Sequence, residues 1–373
     1  IDWSSALAWT ETKSVAYPSV GLSAILTDLL PIRSDVLTFL KLRGSYSEVG
    51  NAPTRYIAYQ THPYQSGTPS TTSTYPNSDI KPERTKAWEV GLQSRFWGDK
   101  LALNVSLYKT STFNQLFNPS LPSSSGYSSI YINGGQVDNK GIEASLSLSQ
   151  ALGPVEWNST LTYTINRNKI KKLLKPTTLK DGLLVEQDML DLDGVGNVKT
   201  RLFEGGSVGD LYVTALRTDE HGYIDVDYVN NTVSVDGNAG ERGDGWIYAG
   251  NSQAKYTMGW RNSFSWKGLT LGFLINARVG GVCVSMTQAL MDSYGTSKAT
   301  ADARDAGGVM INGYLVPAAQ KYYQTVGTGA GSMYVYSATN IRLAELSLGY
   351  DVPVTKLVPW IKGMNVALSL IHI

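Results

Sequence analysis

Apolar and polar residues alternate over long stretches of this chain, as they do along a β-strand with one apolar face. Residues 101–113 read LALNVSLYKTSTF, so Leu101, Leu103 and Val105 would share one face and Asn104 would lie on the other. The same alternation recurs in LKLRGSYSE, WEVGLQSRF, IEASLSLS, VEWNSTLTYTIN, YTMGWRNSFSW, LTLGFLINARV, LAELSLGY and MNVALSL. With about eleven such strands and hardly a helical pattern between them, the sequence predicts an all-β protein.

The connections between these segments are alternately short and long. Tight turns with Gly, Pro, Asp or Lys follow Phe96, Leu152 and Trp266. The other connections are rich in Gly, Ser, Thr, Asn and Tyr, and they run over residues 50–84, 111–139, 168–255 and 282–338. One plain end and one elaborated end are typical of an antiparallel up-and-down transmembrane β-barrel, whose extracellular loops are the long ones. Within the long extracellular loop 168–255, the alternating runs DLYVTAL and GYIDVDYV predict hairpins above the membrane.

The polar faces of the predicted strands carry charged residues. These are Arg43, Glu89, Arg95, Glu143, Glu156, Arg261 and Arg278. In the core of a β-sandwich each charge would cost several kcal/mol unless it were paired. In lipid, every backbone N–H and C=O must be paired within the protein, and a closed sheet achieves this. We therefore predict a barrel whose apolar faces contact lipid and whose polar faces line a hydrated lumen.

Aromatic residues lie near the ends of several predicted strands. They are Trp88, Trp97, Trp157, Tyr163, Trp260, Trp266 and Tyr350. Because Trp and Tyr form girdles at the two membrane interfaces of such barrels, these positions fit the same prediction.

Composition and charge exclude several other classes of protein. The formal net charge is +1 and charged residues make up only 17%, so the chain lacks the basic surface of a nucleic-acid-binding protein. The single cysteine, Cys283, excludes an internal disulfide and a multi-cysteine metal cluster. No stretch approaches the ~18 to 20 consecutive apolar residues of a membrane-spanning helix.

Five segments, in order along the chain, carry a resemblance to a known family. They are LKLRGSYSEVGN (40–51), SDIKPERTKAWEVGLQSRFW (78–97), NGGQVDNKGIEASL (133–146), TYTINRNKI (162–170) and ATNIRLAELSLGYDVP (338–353). Together they resemble the C-terminal barrel of the SusC/RagA-type TonB-dependent outer-membrane transporters of Bacteroidetes.

The resemblance implies a multi-pass protein of the bacterial outer membrane, with a barrel of about 22 strands that an N-terminal plug fills. It implies nutrient uptake, the import of oligosaccharides or peptides, driven by TonB–ExbB–ExbD through a region N-terminal to this chain. A SusD-like surface lipoprotein would cover the mouth, and outer-membrane lipid would surround the wall. We expect residues 1–373 to be the C-terminal half of the barrel, without the plug and the closing strand. Because half a barrel leaves two unpaired edges, we expect this part neither to insert nor to transport alone.

An acidic run in residues 188–197 resembles part of a calcium loop. Asp188, Asp191, Asp193 and Asn197 lie in the sequence DMLDLDGVGN. A ligand series beginning at Asp191 lacks the glutamate that completes such a loop at its twelfth position. We therefore interpret the run as a solvated acidic loop and predict no metal site.

Catalytic constellations are also missing from the sequence. His62, His221 and His372 lie far apart along the chain, and G-x-S-x-G, P-loop and dinucleotide-binding motifs are absent. Glu186 and Asp188 are two acids in one predicted loop, which lacks the fixed separation that glycoside cleavage needs. We predict no enzyme activity, no catalytic residues and no cofactor.

Tyrosines and tryptophans in the long connections are the candidates for substrate contact. We predict that Tyr59, Tyr127, Tyr131, Trp246 and Tyr248 bind substrate, because aromatic faces stack on sugars and peptides while neighbouring Asn, Gln and Ser form hydrogen bonds. The alternative is that these rings pack the loops together or contact the lid protein.

Two functional classes are consistent with the pattern. The first is active import through an outer-membrane complex, and the second is a soluble secreted β-sheet module that binds glycans or acts as an adhesin. A soluble module would need a second layer over the apolar faces of its strands. A passive porin is a weaker third option, since its family signatures differ.

Overall fold

A computed structural model of the protein describes residues 2–371 except 33, 71, 122, 175, 179–181, 183, 186–187, 193 and 355–359. The chain forms two compact units. Unit 1 consists of Ile1–Gln187, Lys255–Val279 and Asn340–Ile373, and unit 2 consists of Asp188–Ala254 and Gly280–Thr339.

Unit 1 is built on one large antiparallel sheet of ten strands. The strands are β1 (Ser19–Ile25), β2 (Leu37–Asn51), β3 (Glu83–Phe96), β4 (Leu101–Phe117), β5 (Ile132–Leu152), β6 (Val155–Lys172), β7 (Tyr256–Trp266), β8 (Leu269–Val279), β9 (Asn340–Val352) and β10 (Met364–Ile371). Each strand pairs with the next one along the chain, from β1 to β10. The predicted up-and-down antiparallel arrangement is therefore confirmed, with ten strands in the described sheet where about eleven were expected. Within the described residues, β1 and β10 are the two edges of this sheet, so the sheet is open.

The strand register confirms the predicted apolar face. Leu103, Leu146, Leu161 and Trp260 are direct cross-strand partners on β4, β5, β6 and β7. Their side chains remain accessible, and Leu146 is 40% exposed. An apolar face this exposed belongs to a sheet that meets lipid, because a sandwich would have buried it under a second layer.

The opposite face of the sheet holds the predicted charged residues, several of which are paired. The Arg43 guanidinium lies 3.4 Å from the Glu89 carboxylate and donates a hydrogen bond to the Ser106 hydroxyl at 2.5 Å. Further along the sheet, Arg261 and Glu345 form an ion pair of 2.7 Å. These pairs offset part of the charge on this face, although the Arg43 Nε is buried without a hydrogen-bond partner.

At one end of the sheet, tight turns connect the strands. Between β7 and β8 the φ angles of Lys267 and Gly268 are +49° and +86°. Positive φ at both central residues is the type I′ geometry, whose twist matches that of the flanking strands. The hairpin therefore keeps its register with a two-residue loop.

Helices, which the sequence pattern did not predict, occupy part of the connection 282–338. They are α2 (Met286–Ser293), α3 (Lys298–Asp305) and α4 (Ala319–Gly329), while a single turn, α1 (Leu26–Leu29), follows β1. Ser285 caps α2 by accepting a hydrogen bond from the Gln288 backbone N–H, and Ser297 caps α3 in the same way. With only 8 to 11 residues each, the three helices depend on packing within unit 2 more than on local propensity.

Unit 2 has its own sheet and its own core. The sheet has four strands, Met189–Asp191, Val198–Phe203, Asp210–Val213 and Ile247–Asn251. The buried core consists of Leu216, Val233, Ala289, Ile311, Val316, Tyr322, Val326, Ala330 and Tyr334. These residues come from both long connections, so 188–254 and 280–339 form one packed body. The run DLYVTAL contributes a strand of the sheet, and GYIDVDYV contributes the first strand of a short hairpin. Their position above a membrane stays a prediction.

The remaining elements are short. Paired strands are Asp2–Trp3 with Ser14–Val15, Tyr64–Gln65 with Thr68–Pro69, Thr74–Tyr75 with Ser129–Ile130, Thr177–Thr178 with Leu184–Val185, Val226–Asp227 with Thr232–Val233, Val282–Val284 with Val335–Ser337, and Val309–Ile311 with Tyr314–Val316. Turns of 3₁₀ helix are Ser5–Leu7, Ser123–Ser125 and Gly331–Tyr334. None of the helices in the described parts of the chain has the length and apolar character to cross a membrane.

The faces of β6 generate a direct test of the outward orientation. We expect Leu161→Arg, in the middle of the apolar row of this strand, to destabilise the protein in a bilayer by about 2–4 kcal/mol. Thr164→Arg is the matched control, because Thr164 lies on the polar face directly opposite Glu143. Unfolding of the complete natural protein by guanidinium in lipid vesicles measures both changes. Equal losses for the two variants would contradict the assignment of the faces.

Candidate functional site

A cluster of aromatic rings lies in unit 1 near Tyr59. The ring of Tyr59 is 4.9 Å from that of Trp9 and 5.9 Å from that of Tyr56, measured between centroids. Tyr59 itself is half-buried, whereas Trp9 and Tyr56 are exposed. The rings that solvent reaches most easily are thus the two neighbours of the predicted residue. Trp9 did not stand out in the sequence because it lies outside the long connections.

Tyr127 and Tyr131 join a second long connection to the first. The Tyr127 ring meets the edge of Tyr75 at 5.2 Å, and its hydroxyl donates a hydrogen bond to the Gln60 side-chain carbonyl at 3.3 Å. The backbone carbonyl of Tyr131 accepts a hydrogen bond from the Asn77 amide at 2.9 Å. These contacts hold the loops together, which is the alternative role that the sequence left open, and they leave both rings half-buried.

Trp246 and Tyr248 lie together at the edge strand Ile247–Asn251 of the unit 2 sheet or just before it. The Lys199 ammonium sits 3.9 Å from the centre of the Trp246 ring, a cation–π contact. Tyr248 packs against Tyr212 at 5.5 Å and donates a hydrogen bond to the Asp210 carboxylate at 3.3 Å. Tyr248 still has 56% of its surface exposed, so one side of its ring is free to stack on a ligand.

A buried arginine organises the residues beneath these rings. Arg201 is 2% exposed, and its guanidinium donates to Asp191 at 2.8 Å and to Asp244 at 2.7 Å. The same guanidinium lies 5.1 Å from the centre of the Tyr212 ring. Arg201 did not stand out in the sequence, although the alternation in VKTRLF places Lys199 and Arg201 on one face of a strand.

Arg201 and Lys199 keep the neighbouring carboxylates of Asp191 and Asp244 ionised. Burial alone would raise the pKa of Asp191, but hydrogen bonds and charge from Arg201 and Lys199 outweigh it, so this pKa is lowered. The hydrogen bond from Arg201 lowers the pKa of Asp244. Burial raises the pKa of the Tyr248 hydroxyl, and the nearby Asp210 raises it further. The cluster therefore presents neutral tyrosines above a fixed set of ion pairs.

The acidic run 188–197 is more ordered than a solvated loop. Asp191 pairs with Lys199 and Arg201, and Asp188 pairs with Arg242 at 2.8 Å. The Asn197 amide donates a hydrogen bond to the backbone carbonyl of Gly327 at 3.3 Å. Asp193 lies outside the described residues. The interpretation as a solvated loop was therefore wrong for Asp191, because the cations that pair with it come from the next strand.

The histidines and the Glu186–Asp188 pair considered in the sequence do not form a catalytic group among the residues that the structure describes. His62 belongs to unit 1 and His221 to unit 2, while His372 and Glu186 lie outside the described residues. Within the part of the chain that the structure describes, three or more His, Cys, Asp or Glu side chains nowhere gather as they would around a metal ion.

Comparison with known proteins identifies the barrel. Residues 1–186 match the family model described as TonB dependent receptor-like, beta-barrel. The chain belongs to the TonB-dependent receptor β-barrel family. Two curated relatives, TonB-dependent receptors P3 and P26 of Formosa agariphila, are 27% and 25% identical over 86% and 93% of this chain. The chain spans 33% and 36% of their lengths, about a third of each.

Solved structures of the RagAB peptide transporter share the fold of this TonB-dependent receptor chain. One of these structures aligns with 98% of this chain over 41% of its own chain, with a TM-score of 0.70 and 20% sequence identity. The "open-open" state of the RagAB peptide importer aligns with a TM-score of 0.69. At this identity the likeness establishes the fold.

Arg201 generates a prediction about the stability of the TonB-dependent receptor chain. We expect Arg201→Met to destabilise the four-stranded sheet by about 1–3 kcal/mol, because Asp244 and Asp191 both lose the Arg201 guanidinium as a donor and Asp191 keeps only Lys199. Amide hydrogen exchange at 198–203 in the complete protein measures the loss. Arg217→Met is the control, since its 3.9 Å pair with Asp225 is exposed and is worth about 0–1 kcal/mol. Equal protection in both variants would contradict a structural role for Arg201.

The same ion pairs predict how acid affects this sheet. The folded-state pKa values of Asp191 and Asp244 are lowered, so their contribution is present above the ordinary carboxylate pKa of about 4 and is lost as the pH falls through the lowered values. We expect protection at 198–203 to decrease below about pH 4 and to depend less on pH in Arg201→Met. An identical acid profile in the two proteins would show that other groups control the transition.

Proposed function

We propose that the protein forms part of the barrel wall of a TonB-dependent importer in the bacterial outer membrane. The observation that supports this most is the pairing of an exposed apolar face with a charged opposite face in one up-and-down sheet of the TonB-dependent receptor family. Such a sheet is suited to lipid on one side and water on the other. We infer transport and not catalysis, in accord with a family of receptors.

The imported substrate would be a peptide or an oligosaccharide, with energy from TonB–ExbB–ExbD and a SusD-like lipoprotein over the mouth. The RagAB structures are of a peptide transporter, which is why peptides are the first class to test. We propose that Tyr59, Tyr127, Tyr131, Trp246 and Tyr248 bind the substrate. Of these, Tyr248 offers the most accessible ring.

A soluble glycan-binding module or adhesin is the competing function. It would have to cover the apolar side chains of the sheet, such as Leu22 at 80% exposure, and a patch this extensive is not tolerated in water. Fractionation of cells separates the two functions, because an importer sediments with outer membranes and needs detergent for release. Recovery of the complete protein in the soluble secreted fraction would overturn the transport proposal.

Tyr248 provides the test of substrate contact. In a strain that lacks the native gene, we expect Tyr248→Ala to raise the peptide concentration needed for half-maximal uptake about 5- to 10-fold, the worth of one lost aromatic stack. Tyr223→Ala is the matched control, because Tyr223 lies in the same unit with 57% of its surface exposed. Uptake of labelled peptides and oligosaccharides by both strains gives the result. If both substitutions reduce uptake equally, the effect is on the unit as a whole and Tyr248 is not a contact.

A further inference from the structure

The outward face of the sheet has an apolar band of defined height. On β6 the apolar positions run from Val155 to Ile165, which are ten residues apart, and Ser159 is the exception among them. Ten residues of strand extend about 33 Å, and a tilt of about 40° reduces this to a height of about 25 Å. That is the height of the lipid-facing band of an outer-membrane barrel. The residues just above Ile165 therefore lie where lipid headgroups begin.

A row of aromatic and basic residues lies directly above this band. Tyr46, Trp88, Lys109, Lys140 and Arg167 are successive cross-strand partners on β2 to β6. The two aromatic residues are in contact, with ring centroids 4.5 Å apart. Because neighbouring strands are about 4.8 Å apart, the three cations fall within about 10 Å of one another. We call Lys109, Lys140 and Arg167 the basic row.

The next row up adds further cations. It contains Glu48, Lys86, Ser111, Asp138 and Lys169 on the same five strands. Lys86 lies 3.9 Å from Glu48, whereas the Asp138 carboxylate accepts a hydrogen bond from a side-chain amide. The two rows together carry five cations and two carboxylates, so this part of the outward face is positively charged.

The basic row lacks internal compensation for its charge. Lys109 and Lys140 form no ion pair with any carboxylate that the structure describes. Arg167 donates to the backbone carbonyl of Lys255 at 2.7 Å, which satisfies a donor without neutralising the charge. Like charges directly opposite each other on a sheet are destabilising, and here all three side chains are exposed. An external anion would remove that penalty.

The other end of the outward face is different. The two rows nearest the tight turns contain Gln150, Leu152, Val155, Trp157, Phe264, Trp266, Leu269, Leu271, Leu348 and Tyr350. All of these residues are uncharged. The positive charge therefore belongs to the end at which the long connections begin, which the proposed function places in the outer leaflet.

We propose that the basic row binds the phosphate groups of glycolipid headgroups in the outer leaflet of the membrane. Lys and Arg are the side chains that bind phosphate, and cations near an anionic lipid surface each strengthen binding. Tyr46 and Trp88 in the same row mark headgroup depth, where aromatic rings are favoured. The alignment of the cations with the upper limit of the apolar band points to a lipid and not to a soluble anion. This inference rests on the proposed membrane insertion.

The test uses the complete natural protein purified from outer membranes and depleted of lipid. Insertion is checked first, by heat-modifiable mobility of the protein in the membrane fraction, and its absence would overturn the proposed function and not only this inference. Binding of bisphosphorylated lipid A is then measured by native mass spectrometry. We expect the variant Lys109→Gln/Lys140→Gln/Arg167→Gln to bind about 100-fold more weakly, from about five-fold for each cation near a charged surface.

Two controls assign the effect to the row and to the phosphate. Lys100→Gln/Lys267→Gln removes charge at the tight turns and should leave lipid A binding unchanged. Dephosphorylated lipid A should bind the natural protein as weakly as phosphorylated lipid A binds the triple variant, and inorganic phosphate should not compete. Binding by the triple variant within about three-fold of the natural protein would overturn the proposal. Equal affinity for the dephosphorylated lipid, or displacement by inorganic phosphate, would do the same.

Discussion

The need to pair every backbone N–H and C=O in a medium without water underlies the rest of this structure. A long antiparallel sheet meets that need strand by strand, and its side chains then alternate strictly between two faces. One face must be apolar and the other is free to be polar. The row Leu103–Leu146–Leu161–Trp260 and the Arg43–Glu89 pair lie on opposite faces because the register admits no intermediate position. A slip of one residue would exchange them.

This strict alternation is why the sheet could be predicted from sequence. Each strand carries its own signal, and neighbouring strands repeat it, so errors at single positions do not change the interpretation. The tight turns also indicated the order of the strands in the sheet, since a two-residue turn such as Lys267–Gly268 joins two adjacent antiparallel strands. The match to the TonB-dependent receptor family covers residues 1–186, which include several of the segments with this alternation.

Unit 2 could not be predicted to the same degree because its stability depends on contacts between distant segments. Tyr322 and Val326 of α4 pack with Leu216 and Val233, which lie about a hundred residues earlier in the chain. Arg201 joins Asp191 to Asp244 across the unit, and none of the three forms a motif in sequence. Of the five aromatic residues chosen from the sequence, three lie in unit 1 and two in unit 2. Only the structure shows that Tyr127 is mainly a packing residue while Tyr248 keeps an exposed ring.

Two polar residues, Ser159 and Asn262, lie on the otherwise apolar face of the sheet. Asn262 is 1% exposed, and its side-chain carbonyl accepts a hydrogen bond from the indole N–H of Trp157 at 3.1 Å. Ser159, its direct cross-strand partner, accepts one from the indole of Trp260 at 3.0 Å. Indole N–H groups need an acceptor wherever water is scarce, and a small polar side chain on the neighbouring strand supplies it. Ser159 and Asn262 therefore each accept a hydrogen bond from an indole on the neighbouring strand, which gives these two exceptions to the apolar pattern a role in orienting Trp260 and Trp157.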